Sequence, residues 1–250
     1  MFEQLLSEFE DRVREVNLYF QVLAALDNDE LSIVAGTAGQ FAPEGAPPGD
    51  WGRMLKGASY LVLYNLVEAF VRRGFQQVFD TIKSDSVCAA DLIEELRVQW
   101  IEQKNRTVKH FDGSPGVYMN LAHELIEDIF SKNRVALHRD RLPVSGNLDA
   151  DKIRTICHLH GVDATVPAAA KGGASLEIVK KKRNSLSHGD ESFVEVGRNL
   201  AACDLSKSKD EVIAFMRGII ENLEKFAATK SYRHWVPFTN LATADWMEWI

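Results

Sequence analysis

Apolar residues in this chain recur at steps of three and four and show no convincing alternation of period two, which points to helices rather than strands. The clearest run is Leu63, Leu66, Val67, Phe70, Val71, Phe75, Val78, Phe79 and Ile82. It predicts one face of a long helix from about Lys56 to Lys83. Phe2, Leu5, Leu6, Phe9, Val13, Val16, Phe20 and Leu23 trace another, within residues 1–27. Leu92, Leu96 and Trp100 mark a third helix; Leu121, Leu125 and Ile129 mark a fourth. A fifth carries Ile153 and Ile156, with Asn147 or Asp149 as its cap and Gly161 as its stop. A sixth runs from near Ser175 to His188. Phe193 to Leu200 is short and ambiguous. The last is expected to open at Ser208, spaced from Glu211 as in a capping box, and to carry Val212, Met216, Ile219, Leu223 and Phe226. The expected fold class is all-α, an antiparallel helical bundle.

Two stretches break the pattern. Gly36 to Gly52 holds five glycines and three prolines and reads as a long loop or a flap. Gly161 to Gly173 carries Pro167 and an alanine run; it reads as a surface connection, with a lid as the other reading. Neither looks like a domain boundary. The expectation is one domain over 1–250, with a core at about 56–230, an added N-terminal helix at 1–27, a loop at 36–52 and a tail at 231–250.

With 250 residues and 46% hydrophobic content, the chain can bury a sizeable core. Its net charge of -7 argues against nonspecific coating of nucleic acid, so any such contact must come from a local basic patch. Two runs qualify: Lys180, Lys181, Lys182 and Arg183, and Arg134, His138, Arg139 and Arg141. Either run is ordinarily a solvated face. Cys88, Cys157 and Cys203 are odd in number and scattered, which fits a reducing cytosol rather than a disulfide framework. Residues 1–9 contain Glu3 and Glu8 and do not read as a signal peptide, and no apolar stretch is long enough to span a membrane. A cytoplasmic location is expected.

The most informative segment is Arg183-Asn184-Ser185-Leu186-Ser187-His188-Gly189. Arg183 falls on the apolar stripe of Leu176, Val179 and Leu186. A guanidinium there is costly unless it is paired, reaches water, or meets a ligand. Histidine is the residue type that titrates near neutrality, and Gly189 can stop the helix. Spacing alone does not single out this pair. Arg154 with His158 or His160, Arg106 with His110, and Arg134 with His138 are similarly placed.

Context distinguishes them. The string KKRNSLSHGDESFVEVGR resembles the signature of the HEPN superfamily (higher eukaryotes and prokaryotes nucleotide-binding domains). Gly189, Phe193, Glu195, Gly197 and Arg198 look like its bacterial branch from toxin–antitoxin and phage-defence loci. YLVLYNLVEAFVRR resembles that branch's long helix with a central glutamate, here Glu68, and SGNLDADKIRTICHLHGV resembles its connector and following helix. The likeness covers about 56–230. It implies a homodimer packed through its motif helices, and in many members a metal-independent endoribonuclease with a site composed from both protomers. Other members only bind.

On that reading Arg183 and His188 are the catalytic pair and Asn184 assists. Lys181, Lys182 and Ser187 are candidates for holding substrate, and Glu68 for support. No metal and no cofactor is expected. The partners implied are RNA, a second copy, and a cognate antitoxin or second defence protein; no membrane is expected. Cleavage without metal needs a base at the 2′-hydroxyl, an acid at the leaving 5′-oxygen, and positive charge at the phosphorane-like transition state. One chain supplies one motif histidine, so acid and base together call for two copies.

Plainer readings stand beside this one. His188 is a residue that often binds the last carbonyls of a helix, Arg183 could pair with an acid such as Glu68, and Glu68 is placed for an exposed pair with Arg72. Cys157, His158 and His160 hint at metal, but positions two apart on a helix point to different sides. His110 and Asp112 precede Gly113 in a turn, and Ser145-Gly146-Asn147 is a turn and helix start. No phosphate-cradling glycine motif is present. Trp235, Trp246 and Trp249 in the tail are expected to pack on the bundle or on a dimer partner. The alternatives to a nuclease are a silent binding module or a purely structural oligomer.

Overall fold

The computed structural model describes residues 2–28, 49–108, 115–144 and 146–234, the side chains of 106–108 excepted. Most of the 36–52 stretch, His110, Asp112, Ser145 and the tail tryptophans lie outside the described residues. Among the described residues there are eight α-helices and no strand beyond two isolated bridges. The protein is all-α, as its periodicity requires.

Helix α2 (Asp50–Ser84) is the central element. It packs against α1 (Phe2–Asp27), α6 (Ala174–His188), α7 (Phe193–Gly197) and α8 (Ala202–Ala228). Its buried residues, from Gly57 and Tyr60 to Ile82, lie around most of its circumference, the mark of a helix surrounded by others. α1 buries the face predicted for it through Leu5, Phe9, Val13, Val16, Phe20 and Leu23. One hydrophobic cluster runs from Leu5 to Tyr232. α3 (Glu94–Val108) and α4 (Pro115–Phe130) pack together, and α4 also meets the turn Ala89–Asp91 that follows α2. α5 (Ala150–Leu159) lies against α3 and α6, with Asp149 as its cap accepting the Lys152 N–H at 2.8 Å.

Three boundaries differ from expectation. α2 begins at Asp50, so residues 50–52 are helical rather than loop; Gly49, at φ 87°, precedes its first turn. Leu92 lies before α3. α8 begins at Ala202 and not at Ser208. Its first free N–H, on Ala202, donates to the Asp27 carboxylate at the end of α1, 3.0 Å away. A cap supplied from 175 residues away leaves no local signature. Glu211 is not a reciprocal cap; its carboxylate accepts from Ser175 Oγ at 2.5 Å and pairs with Lys171 at 2.6 Å.

The connection from Gly161 to Gly173 is tied down rather than lid-like. Asn222 donates to the Thr165 carbonyl and Arg154 to the Gly172 carbonyl, both at 2.7 Å, while Pro167 lies against Gly218 of α8. Val162 and Ala170 are buried.

Candidate functional site

The motif helix α6 buries Leu176, Val179 and Leu186, and Arg183 shares that stripe half-buried. The Arg183 guanidinium lies over the Tyr64 ring of α2, 4.5 Å from its centroid. Its Nη1 donates to the Gly146 carbonyl at 3.2 Å and to Asn184 Oδ1 at 3.0 Å. Asn184 Nδ2 in turn donates to Asn147 Oδ1 at 2.7 Å. Lys180 pairs with Asp149. Burial alone would raise the Asp149 carboxyl, but Lys180 and the Lys152 N–H outweigh it and hold the group below the usual carboxylate range. Lys180, and one turn later Arg183 and Asn184, thus hold the connector 146–149 to α6.

Tyr64 links this layer to Glu68. Its hydroxyl accepts the Leu148 N–H at 3.2 Å. Burial raises the phenol, and the neighbouring Glu68 carboxylate adds to the rise. Glu68 pairs with Arg72 at 3.0 Å, as its spacing suggests, but the pair is half-buried rather than exposed. Arg72 also donates to the Val144 carbonyl just before the connector. Glu68 therefore serves Tyr64 and Arg72 and does not pair with Arg183.

The basic run resolves into unlike members. Lys180 pairs with Asp149, Lys181 with Glu177 at 2.7 Å and Lys182 with Glu191 at 3.0 Å. Glu191 also accepts from Ser185 Oγ at 2.8 Å; Lys182 and then Ser185 hold its carboxyl below the usual range. Arg183 alone of the four has no carboxylate partner among the described residues. Its described hydrogen bonds use Nη1, leaving Nε and Nη2 uncommitted among those residues, and a guanidinium carries five N–H donors.

α6 ends at His188. Gly189, at φ 77°, closes it, and the Asp190 N–H returns to the Ser185 carbonyl at 2.9 Å, so the last carbonyls are met by backbone. His188 and Ser187 are exposed, and His188 makes no hydrogen bond or ion pair among the described residues. It is not acting as the cap. Arg183 and His188 are five residues apart, about 7.5 Å along the axis and about 140° around it. A single chain therefore presents them on different sides of α6.

The residues after the motif are structural. Ser192 and Glu195 form a capping box that starts α7. A Cβ at Gly197 would lie 1.8 Å from the Arg53 carbonyl oxygen, and one at Gly57 2.3 Å from the Phe193 carbonyl oxygen. These two glycines let α7 meet α2 backbone to backbone, which fixes the chain just beyond His188.

Of the other candidate pairs, Arg154 with His160 dissolves. His160 is buried, 4.9 Å from the Phe75 ring and 5.7 Å from Phe79, with Nδ1 on the Ile156 carbonyl at 2.7 Å. Burial pushes it down to about 4, and burial pushes the Cys157 thiol up to about 12. His158 is exposed on another side. Among the described residues no three His, Cys, Asp or Glu converge as a metal site, and no helix is long and apolar enough to cross a membrane. Sequence reading missed Tyr64, Gly146 and Asn147 as partners of the motif. Tyr64 stands four residues before Glu68, so the face they share was the available signal.

The profile of the MAE_28990-like HEPN family matches residues 1–232. The chain belongs to that family. No curated protein and no solved structure matches it. HEPN membership makes it a nuclease or nucleotide-binding module in general.

Proposed function

We propose that this HEPN protein is a metal-independent endoribonuclease of a toxin–antitoxin or phage-defence system, working as a homodimer in the cytoplasm. The observation that carries the reading is the exceptional state of Arg183. In a run of four cations it alone is free of a carboxylate among the described residues, and it is held by its ring face on Tyr64 and by one nitrogen on the Gly146 carbonyl. A guanidinium fixed this way offers its remaining edge to two phosphate oxygens without the cost of ordering a free side chain.

In the proposed reaction the 2′-hydroxyl oxygen of a ribose attacks the adjacent phosphorus. One His188 takes the hydroxyl proton, and the His188 of a second copy protonates the departing 5′-oxygen. The phosphorus–5′-oxygen bond breaks, leaving a 2′,3′-cyclic phosphate on one product and a 5′-hydroxyl on the other. Arg183 stabilises the charge that gathers on the non-bridging oxygens. Asn184 positions Arg183 and the Asn147 connector. Lys181, Lys182 and Ser187 could hold flanking phosphates, the two lysines only by exchanging their glutamate partners. The test is RNA cleavage in the presence of a chelator, with product ends analysed. Loss in His188→Ala is expected; full activity in that variant excludes the histidine from the chemistry.

A second reading, a catalytically silent binding module such as an antitoxin or nucleotide sensor, is favoured by the divergence of Arg183 and His188 around α6. It predicts no cleavage, no growth arrest on expression, and a stable complex with a second protein.

A further inference from the structure

The hairpin of α3 and α4 carries an apolar face that no described part of the chain covers. On α4, Met119, Ile126 and Phe130 fall within about 20° of one line along the axis, and Tyr118 and Ile129 flank them at about 90°. Phe130 is 83% exposed, Met119 71% and Ile126 54%. α4 turns Leu121 and Leu125 toward the core instead, so it is apolar on two sides. A helix of that pattern is one with a partner on each side.

We infer that the chain's own residues 235–250 cover this face. The last described residues lie against the segment 91–93, next to the turn Ala89–Asp91 that α4 contacts. Ile93 donates to the Tyr232 carbonyl at 3.0 Å, and His234 donates to the Asp91 carbonyl at 2.7 Å. Asp91 is three residues from Cys88, which bridges to Arg134, four residues past Phe130. His234, the last described residue, thus stands near the chain that follows the C-terminal end of α4. Its 16-residue continuation contains Trp235, Phe238, Leu241, Trp246, Met247 and Trp249, and no lysine or arginine. Even at the rise of a helix, about 1.5 Å per residue, that length matches the 16 residues of α4.

The other long segment outside the described residues cannot serve. Residues 29–48 are fixed at both ends near the start of α2, by Asp27 on Lys56 and by Gly49. The C-terminal end of α2 lies about 52 Å away along its axis. Twenty residues have a contour of about 70 Å and must return, so they reach about 35 Å. Charge sets the kind of contact. Asp245 and Glu248 of the tail would face an α4 that carries Glu124 and Glu127, so the association is apolar, and salt, which screens that repulsion, does not weaken it.

The full chain with Cys203→Ser removes the exposed thiol, leaving the buried Cys88 and Cys157. Ala122→Cys on α4 and Ala244→Cys in the tail then report proximity through a short bis-maleimide. The expected product is an internal crosslink at monomer mass, with a yield that does not fall at high salt. A crosslink found only at dimer mass overturns the inference and assigns the face to a second copy. In the uncut chain, Trp246→Asp with Trp249→Asp is expected to raise deuterium uptake across 117–130 several-fold. Unchanged uptake together with no crosslink overturns it as well.

Discussion

Replacing Arg183 with methionine separates a phosphate-binding arginine from a structural one. Methionine keeps a stem of similar length over Tyr64 but removes the charge and the donors. The structure gives Arg183 one bond to a backbone carbonyl at 3.2 Å, one to Asn184 at 3.0 Å and a ring contact at 4.5 Å. A charged donor on a carbonyl contributes about 1.5 kcal/mol at the low end suited to a half-exposed group, and the ring contact about 0.5–1 kcal/mol. The expected loss is therefore about 2 kcal/mol, or roughly 4–8 °C in Tm for a chain of this size. Urea unfolding of Arg183→Met, and of Arg183→Lys as the charge-conserving control, reads it directly. RNA cleavage should fall by about 100-fold or more, far beyond what a still-folded population explains. A loss above about 5 kcal/mol would refute the argument, because it would mean a sealed, compensated ion rather than an available one. No loss at all would show that the Gly146 tether does not form. A double-mutant cycle with Tyr64→Leu should return a coupling of about 0.5–1 kcal/mol.

Other expectations follow from the core and the caps. His160 titrates at about 4 in the fold against 6.5 for an unperturbed imidazole, so the unfolded chain takes up a proton that the folded chain refuses. Its contribution is complete above the unfolded value and is lost as pH falls from about 6.5 to about 4. Between pH 7 and pH 5 this group alone costs about 2 kcal/mol, a drop that urea titrations of His160→Leu should not show. Gly197→Ala sets a Cβ 1.8 Å from the Arg53 carbonyl and should lose roughly 2–3 kcal/mol with α7 displaced, visible as faster hydrogen exchange over 190–200. Asp27→Ala uncaps α8 from a distance and should cost about 1–2 kcal/mol in the same unfolding assay.

What the sequence shows of this fold is whatever repeats locally. The stripe from Leu63 to Ile82 and the face from Leu5 to Leu23 are buried as periodicity demands. Asp149 caps α5 because a cap is a relation between near neighbours. The start of α8 escapes a local reading for the opposite reason: its cap is Asp27, and Ser208 with Glu211 only imitates one. The motif shows the same division. Arg183 and His188 are legible as residue types, and Gly189, Glu195 and Gly197 have local or packing reasons to be where they are. The cradle of Tyr64, Gly146 and Asn147 joins segments far apart in the chain; Gly146 and Asn147 read as a turn and connector and Tyr64 as a neighbour of Glu68, but their meeting at Arg183 left no local mark. Likewise, that Lys180, Lys181 and Lys182 are neutralised and Arg183 is not depends on where Asp149, Glu177 and Glu191 come to rest.

The geometry of α6 makes one more demand on any catalytic reading. Two side chains about 140° apart around a helix, and about 7.5 Å apart along it, do not converge on one phosphate from the same chain. If cleavage uses an acid and a base, and each chain offers one exposed His188, the working unit holds two chains in one groove. Mixing decides this. With wild-type and His188→Ala chains co-refolded at equal ratio, about a quarter of random dimers carry both imidazoles, whereas independent sites would leave about half of the activity. Activity that tracks the square of the wild-type fraction supports the shared groove. A linear dependence would show that one chain suffices, and would require Arg183 and His188 to reach the phosphate by a rearrangement of α6 that its backbone-closed end at Gly189 opposes.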